Sequence, residues 1–306
     1  MTTTTTLAAT QPAIFSRIVA ATDFSEAATR AVARAAMLAS SHGVPLELLH
    51  VVRRTALDEL RWAANRARLG EKFCHQAREG LDTLASAMPL PFPADIHVEV
   101  GDVVARIAAH SGPETLLVVG SRGENDFRDL LLGSTAERLL GRTGGAILVV
   151  KAESDSAYRR VLAALDLQEG SEQVLQAAVR VAPGAAVTAV HAYDVPFEGM
   201  LHRSGVGSEQ IDRHRGEALR SAYDRIEDMT RRVAPSGRIL AIAERGHPAR
   251  LLLDRMTGTG ADLVVMGRHR RSAAERFFVG SVARHVVAGA AIDVLVVPQH
   301  DVAHGN

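Results

Sequence analysis

The chain is poor in cysteine and in lysine, and each scarcity removes a class of chemistry. Its single cysteine, Cys74, excludes an intrachain disulfide and any metal site built from several cysteines, and suits a reducing compartment. Cys74 reads as buried filler. Only two of the 35 basic residues are lysines, Lys72 and Lys151. Neither lies in a G-x-x-x-x-G-K-[ST] string, so a Walker-type phosphate loop is excluded and lysine-based covalent catalysis has few candidates. Net charge is also missing, with 35 basic residues against 35 acidic ones. Generic binding to nucleic acid or to an anionic membrane therefore lacks its usual electrostatic footprint. No apolar run approaches the roughly 18 residues of a membrane span. The opening stretch MTTTTTLAATQPAIF has neither the basic nor the continuous apolar segment of a signal peptide. The expectation is a cytoplasmic protein with a flexible, Thr-rich tail over 1–14.

What is present is the composition of an ordinary globular protein, 47% hydrophobic and 23% charged over 306 residues. At roughly 150 residues per domain this length suggests two domains, and an internal repeat supplies them. RIVAATDFSEAATRAV from Arg17 lines up with RRVLAALDLQEGSEQVL from Arg159, and LELLHVV from Leu46 with AVTAVHAY from Ala186. Asp23 and Asp166 are 143 apart, His50 and His191 are 141 apart, and the pairs Gly120/Gly267 and Gly133/Gly280 are each 147 apart. A period this long means duplicated domains, not a solenoid. The first is expected over 15–151 and the second over 159–300, with a polar linker over 152–158.

Within each copy, short β-branched runs alternate with helical patterns. Strands are expected near 17–22, 46–52, 96–100, 116–120 and 146–150, then near 160–165, 187–192, 239–243, 262–266 and 293–297. Continuous apolar runs such as LLVVG and AILVV suit strands covered on both faces, hence a parallel sheet flanked by helices, an α/β fold made twice. Leu57, Leu60, Ala64, Ala67, Cys74, Ala77, Leu81, Leu84 and Met88 recur as one face of a long helix. Trp62, Leu69 and Phe73 form a second apolar face, expected to pack on a neighbouring element. AILVV and DVLVV end their sheets and would leave apolar edges that invite pairing.

Ligands of open parallel sheets bind beyond the carboxyl ends of the strands. Three pieces of the first copy should converge there. Thr22-Asp23 closes strand one, and its carboxylate either meets a ligand hydroxyl or amine, or caps the next helix with Glu26 completing a capping box. Gly120-Ser-Arg-Gly123 follows strand four, where glycines permit positive φ and close backbone approach, as an anion nest or as a plain turn. Gly133-Ser134-Thr135 opens a helix whose free N–H groups could hold phosphate, with Ser134 as an ordinary N-cap the alternative.

Together these read G-x2-G-x9-G-[ST] in GSRGENDFRDLLLGST, and with the strand-one Asp, the HVV after strand two and the LVV of strand five the chain resembles the universal stress protein family along nearly its whole length, twice. The resemblance implies Rossmann-like, flavodoxin-like domains that bind ATP or a related adenine nucleotide, with or without Mg²⁺. It implies that Ala21, Thr22 and Asp23 meet adenine or ribose, that Val51 packs on adenine, and that Gly120, Arg122, Gly123, Gly133, Ser134 and Thr135 surround the sugar and phosphates. It also implies strand-five pairing, here between the two copies of one chain as a pseudo-dimer, with further dimerisation of chains open. No catalytic residue is assigned, because no G-x-S-x-G elbow or SGGxDS-type loop is present; at most slow hydrolysis is expected. The rival reading is a nucleotide-independent, chaperone-like or interaction module whose partner protein is unknown.

The second copy, GRHRRSAAERFFVGSV, keeps Gly267, Gly280 and Ser281 but has Arg270 where the second glycine belongs. Its Asp166, Gly267, His269, Arg270, Gly280 and Ser281 form a degenerate candidate site, with a solvated basic loop as the alternative. His202 and His214 near Asp212 are weak metal candidates, better explained by a polar segment, and His50 and His191 read as hydrogen-bonded sheet residues. One nucleotide should therefore bind per chain, and Gly123→Arg should abolish most of that binding by putting bulk and a restricted φ into the nest. Calorimetric titration checks both; two equivalent sites per chain would contradict them.

Overall fold

A computed structural model describes residues 15–53, 67–90, 93–122, 133–153, 156–195, 200, 203–204, 207–235, 239–269 and 280–299, with the side chains of 67–69 outside the description. The first copy runs β1 (Arg17–Ala21), α1 (Glu26–His42), β2 (Leu46–Arg53), α2 (Ala67–Ser86), β3 (Asp95–Gly101), α3 (Val103–Ala109), β4 (Thr115–Gly120), α4 (Ser134–Leu140) and β5 (Ala146–Val150). The second repeats it as β6 (Arg160–Ala164), α5 (Ser171–Val181), β7 (Ala186–Tyr193), α6 (Ser208–Val233), β8 (Ile239–Arg245), α7 (Pro248–Thr259), β9 (Leu263–His269), α8 (Ser281–Gly289) and β10 (Asp293–Gln299). Every expected strand is present, most of them a residue or two longer than the apolar runs suggest, because ladder bonds continue where side chains turn polar.

The ten strands form one sheet in the order β3-β2-β1-β4-β5-β10-β9-β6-β7-β8. Pairing is parallel inside each copy and antiparallel only at the centre, where Val149 lies opposite Val294, Leu148 opposite Leu295 and Ile147 opposite Val296. These six side chains are at most 1% exposed. At roughly 1.5–3 kcal/mol for each fully buried aliphatic side chain, covering them is worth on the order of 10 kcal/mol as an upper figure. Strand alternation then divides the core in two. Ile18, Leu48, Val118 and Leu295 meet α1, α2, α5 and α6, whereas Val19, Leu49, Leu117 and Val296 meet α3, α4, α7 and α8.

Described residues of the stretch expected as a polar linker are held by the second copy. The carboxylate of Asp293, at the start of β10, is wholly buried. Its Oδ1 accepts from the backbone N–H groups of Lys151 (2.8 Å) and Ala152 (3.0 Å), and its Oδ2 accepts from the Tyr158 hydroxyl (2.7 Å). Arg34 of α1 completes the site, 3.3 Å from Oδ2, 4.3 Å above the Tyr158 ring, and donating to the Ser156 carbonyl. Burial first, then the Asp293 charge, push the Tyr158 hydroxyl well above its ordinary value, so it stays protonated and donating. Cys74, expected to be buried, is only half-buried on α2.

Breaking this pair should cost far more than replacing it. Asp293→Ala leaves the 3%-exposed Arg34 as an uncompensated buried cation, a loss of about 3–5 kcal/mol. The double change Arg34→Met with Asp293→Leu should be milder than Asp293→Ala alone; urea denaturation of the three proteins checks the order.

Candidate functional site

The carboxyl ends of β1, β2 and β4 part to leave a cavity of about 1040 Å³. Its floor begins with Ala21, Thr22 and Asp23 at the end of β1 and Val51 on β2. Gly120 and Arg122 enter from β4, and Gly133, Ser134 and Thr135 from the start of α4. Nine of the ten residues singled out in the first copy thus line one cavity; the tenth, Gly123, lies outside the described residues, as does Arg270 in the second copy.

The loop after β1 is held by its own side chains. Thr22 Oγ1 accepts from the N–H of Phe24 (3.0 Å) and Asp23 Oδ1 from the N–H of Ser25 (3.1 Å), two turns that fold Phe24 into a left-handed conformation, φ +66°. A bulky residue there is strained, and two side-chain acceptors compensate for it. The cap of α1 is not Asp23 but Ser25, whose Oγ accepts from Ala28 N–H. Asp23 acts one turn earlier, so the capping-box alternative with Glu26 is corrected. Likewise Ser134 is not a cap: Gly133 is the N-cap residue of α4, with no side-chain cap bond, and Ser134 is the first helical residue.

Glycine has a different purpose at Gly120 from the one expected. It is not among the residues with positive φ, and a Cβ there would stand 2.8 Å from the backbone carbon and 2.9 Å from the oxygen of Ala27. Gly120 lets the first turn of α1 sit directly on β4. Gly133 also has negative φ (−59°), and its N–H donates to the Ser121 carbonyl (2.8 Å), closing the loop between β4 and α4.

Several cavity residues escape the sequence reading. Phe24 lies against His50, ring centroids 4.7 Å apart, over Gly80 of α2, where a Cβ would come within 2.9 Å of the Phe24 ring. His50 is the hydrogen-bonded residue expected: its Nδ1 donates to the Thr22 carbonyl (2.8 Å), and His191 does the same to Leu165. Phe73, expected to pack on a neighbour, is 51% exposed and lines the cavity with Gln76, Gly80 and Thr83. Its place at the margin of the α2 apolar stripe, on the second face with Leu69, was the available signal. Trp62, Leu57, Leu60, Ala64 and His202 lie outside the described residues. Asp212 accepts from Arg215 (2.8 Å), and among the described residues no group of three ligands could hold a metal ion.

In the second copy the corresponding positions are engaged with one another. Asp166 Oδ1 accepts from the Gln168 N–H (3.0 Å) and the Ser171 hydroxyl (2.6 Å), and Oδ2 lies 2.6 Å from His269 Nε2. Its neighbour Leu167 repeats the left-handed turn, φ +58°. The helix cap there is Gly170, so Asp166 is not a surviving N-cap. Gln299, 3% exposed, presses its amide onto Gly267, where a Cβ would meet it at 2.3 Å. Gly280 caps α8 and Ser281 begins it.

These two halves match the model of the universal stress protein family over residues 15–151 and 157–298. The chain belongs to the universal stress protein family. A universal stress protein of Mycolicibacterium smegmatis is 28% identical over 299 residues, covering 92% of this chain and 96% of that one. Universal stress protein G of Shigella flexneri is 34% identical over 131 residues, 41% of this chain and 90% of its own. The crystal structure of a universal stress protein from Archaeoglobus fulgidus aligns with a TM-score of 0.64 at 20% identity, covering 93% and 99% of the two chains, and supports the fold. In this universal stress protein no helix among the described residues is long and apolar enough to cross a membrane.

The Asp166 cluster carries a pH signature. Burial alone would raise this carboxyl, but the hydrogen bonds from Ser171, Gln168 and His269 outweigh it and hold Asp166 below 3.8. A depressed native pKa stabilises the fold above the unfolded value and loses that contribution as pH falls through the native one. Asp166→Asn should therefore be less stable than the wild type at pH 6, with the gap narrowing below about pH 4 in acid-titrated melting curves.

Proposed function

We propose that the first copy binds ATP or a related adenine nucleotide, with or without Mg²⁺, and that occupancy acts as a conformational signal with slow hydrolysis at most. The observation that supports this most is convergence: three segments remote in sequence bring an apolar wall, hydroxyls, an arginine and a helix start to one cavity, in a chain of this family. Val51 and Val119 offer an apolar surface for a base. Asp23 offers a carboxylate for sugar hydroxyls, and Arg122 with the Ser134 and Thr135 hydroxyls and N–H groups offers donors to phosphate oxygens. A Mg²⁺ carried with the nucleotide would be held chiefly by phosphate oxygens, with Asp23 and the Ser134 and Thr135 hydroxyls as protein ligands within the same cavity.

What surrounds those donors supports the reading of slow turnover. His50 Nδ1 and Asp23 Oδ1 are committed to the Thr22 carbonyl and the loop, and both residues belong to the β1–β2 side of the cavity, not to α4, which offers the phosphate donors. Fast phosphoryl transfer needs such a group positioned in line.

One observation favours the nucleotide-independent, protein-interaction reading: Gly120 is explained by helix packing without any ligand. In that case the glycine spacing is structural, and the protein acts through a surface in the cytoplasm, as a monomer or as paired chains. The two readings separate in one experiment. ATP at about a hundredfold over its Kd should add about 2.7 kcal/mol to stability and raise the melting temperature of nucleotide-free protein by several degrees. Hydrolysis should stay below about one per second. No shift with ATP or other adenylates would favour the interaction module, and faster turnover would make the protein an enzyme.

A further inference from the structure

Arg268, in β9 of the second copy, is 1% exposed and ends inside the first copy. Its Nη1 donates to the Leu140 carbonyl, and its Nη2 donates to the carbonyls of Thr143 (2.8 Å) and Gly145 (2.7 Å) and to Thr143 Oγ1 (3.1 Å). All four acceptors belong to the end of α4 and the turn that leads into β5. All four are neutral. Burial lowers the Arg268 pKa to about 10, which leaves it cationic at neutral pH. An apolar side chain of similar volume would fill the interface without desolvating a charge.

The brace is reciprocated. Lys151, just after β5 of the first copy, donates its Nζ to the carbonyls of Ala290 (2.7 Å) and Ala288 (3.3 Å) at the end of α8. Thr143 and Ala290 are 147 apart, the spacing of the glycine pairs, so equivalent carbonyls in the two copies are each held by a cation of the other copy. The cations themselves are not equivalent. Arg268 matches Ser121 at that spacing, and in the first copy Ser121 uses its carbonyl to hold the N–H of Gly133 at the opposite end of α4. The segment 133–145 is thus pinned in front by Ser121 and behind by Arg268.

We propose that Arg268 is a positioning residue for the first copy's cavity: from the second copy it fixes the placement of α4, and with it Ser134 and Thr135, so the phosphate-facing side of the site is complete only when the copies are docked. This rests on the nucleotide reading for its ligand and on the bonds above for its geometry. A guanidinium holding four acceptors in one turn leaves α4 little freedom to slide. Without it, the cavity keeps Val51 and Asp23 but loses the fixed register of Ser134 and Thr135 against them.

The test compares Arg268→Met and Arg268→Lys with the wild type, using ATP and adenosine as probes and hydrogen exchange of the 134–145 amides as a readout that needs no ligand. In Arg268→Met, ATP should bind about tenfold more weakly, adenosine within about twofold, and the 134–145 amides should exchange faster. Arg268→Lys, which keeps the charge but not the planar fork, should lie between. A general loss of structure would weaken both probes together. ATP affinity and exchange both unchanged in a folded Arg268→Met protein would overturn the proposal. Should Arg268→Met fail to fold, the same two outcomes in Arg268→Lys decide it. A wild type that binds neither probe overturns the nucleotide reading, and unchanged exchange in Arg268→Lys would then separately overturn the bracing.

Discussion

Two apolar sheet edges that need covering are the constraint on which this molecule depends. AILVV and DVLVV have aliphatic side chains on both faces and a row of unpaired backbone groups along one side, so neither copy can leave its last strand in water. Antiparallel pairing of β5 with β10 meets that need inside one chain and turns two five-stranded sheets into one of ten strands. Everything polar at the centre is arranged around this seam: Asp293 gathers the connecting backbone, Arg34 and Tyr158, while Lys151 and Arg268 cross it in opposite directions. Mainly directional contacts accompany a mainly non-directional one. The aliphatic strands supply most of the attraction, and the buried hydrogen bonds set how the copies are aligned.

Duplication placed the same backbone in two settings, and corresponding residues now do different work. After β1 and after β6, a carboxylate accepts from the N–H two residues on and forces a bulky residue into the left-handed region. That strain is common to both copies, so it belongs to the fold. What differs is the use of the carboxylate's surroundings. Asp23 opens on a large cavity, whereas Asp166 is tied to Ser171 and His269. The step from a cavity to a mutually bonded cluster needs no change of topology. Among the described residues it involves a hydroxyl, an imidazole and the amide of Gln299.

The strands, their parallel order within each copy and the meeting of the last strands were legible because they follow from local apolar patterns and the edge argument. So were Thr22, Asp23, Gly120, Arg122, Gly133, Ser134 and Thr135, because the carboxyl ends of neighbouring strands must lie together, whereas Ala21 and Val51 came from the family resemblance. The unread features are those fixed by contacts remote in sequence. Arg268 looked like one more arginine in a basic run, and nothing local to GRHRR says that its first arginine turns inward while His269 turns to Asp166. Phe73 looked like packing because the cavity it lines is shaped in part by Phe24 over Gly80, a placement that depends on a backbone conformation Phe rarely adopts. Asp23 was the only cap for α1 that the sequence reading offered; Ser25 takes that place while Asp23 Oδ1 accepts from the Ser25 N–H.

Gly120 shows why a motif and a site need separate arguments. Its spacing to Gly133 points to phosphate, yet its lack of a Cβ is demanded by Ala27, whose backbone would lie 2.8 Å away. The same need would persist in a relative that binds nothing. What a packing requirement does not explain is the company Gly120 keeps: an arginine two residues on, two hydroxyls at the start of α4, and an apolar wall from β2 facing them across open space. A fold needs helices seated on strands, and it gains nothing from leaving donors and apolar surface around a large void. In the second copy, where the matching Gly267 lies within β9, a buried glutamine fills the space over it. The room left beside Gly120, more than the glycine itself, therefore favours a ligand in the first copy.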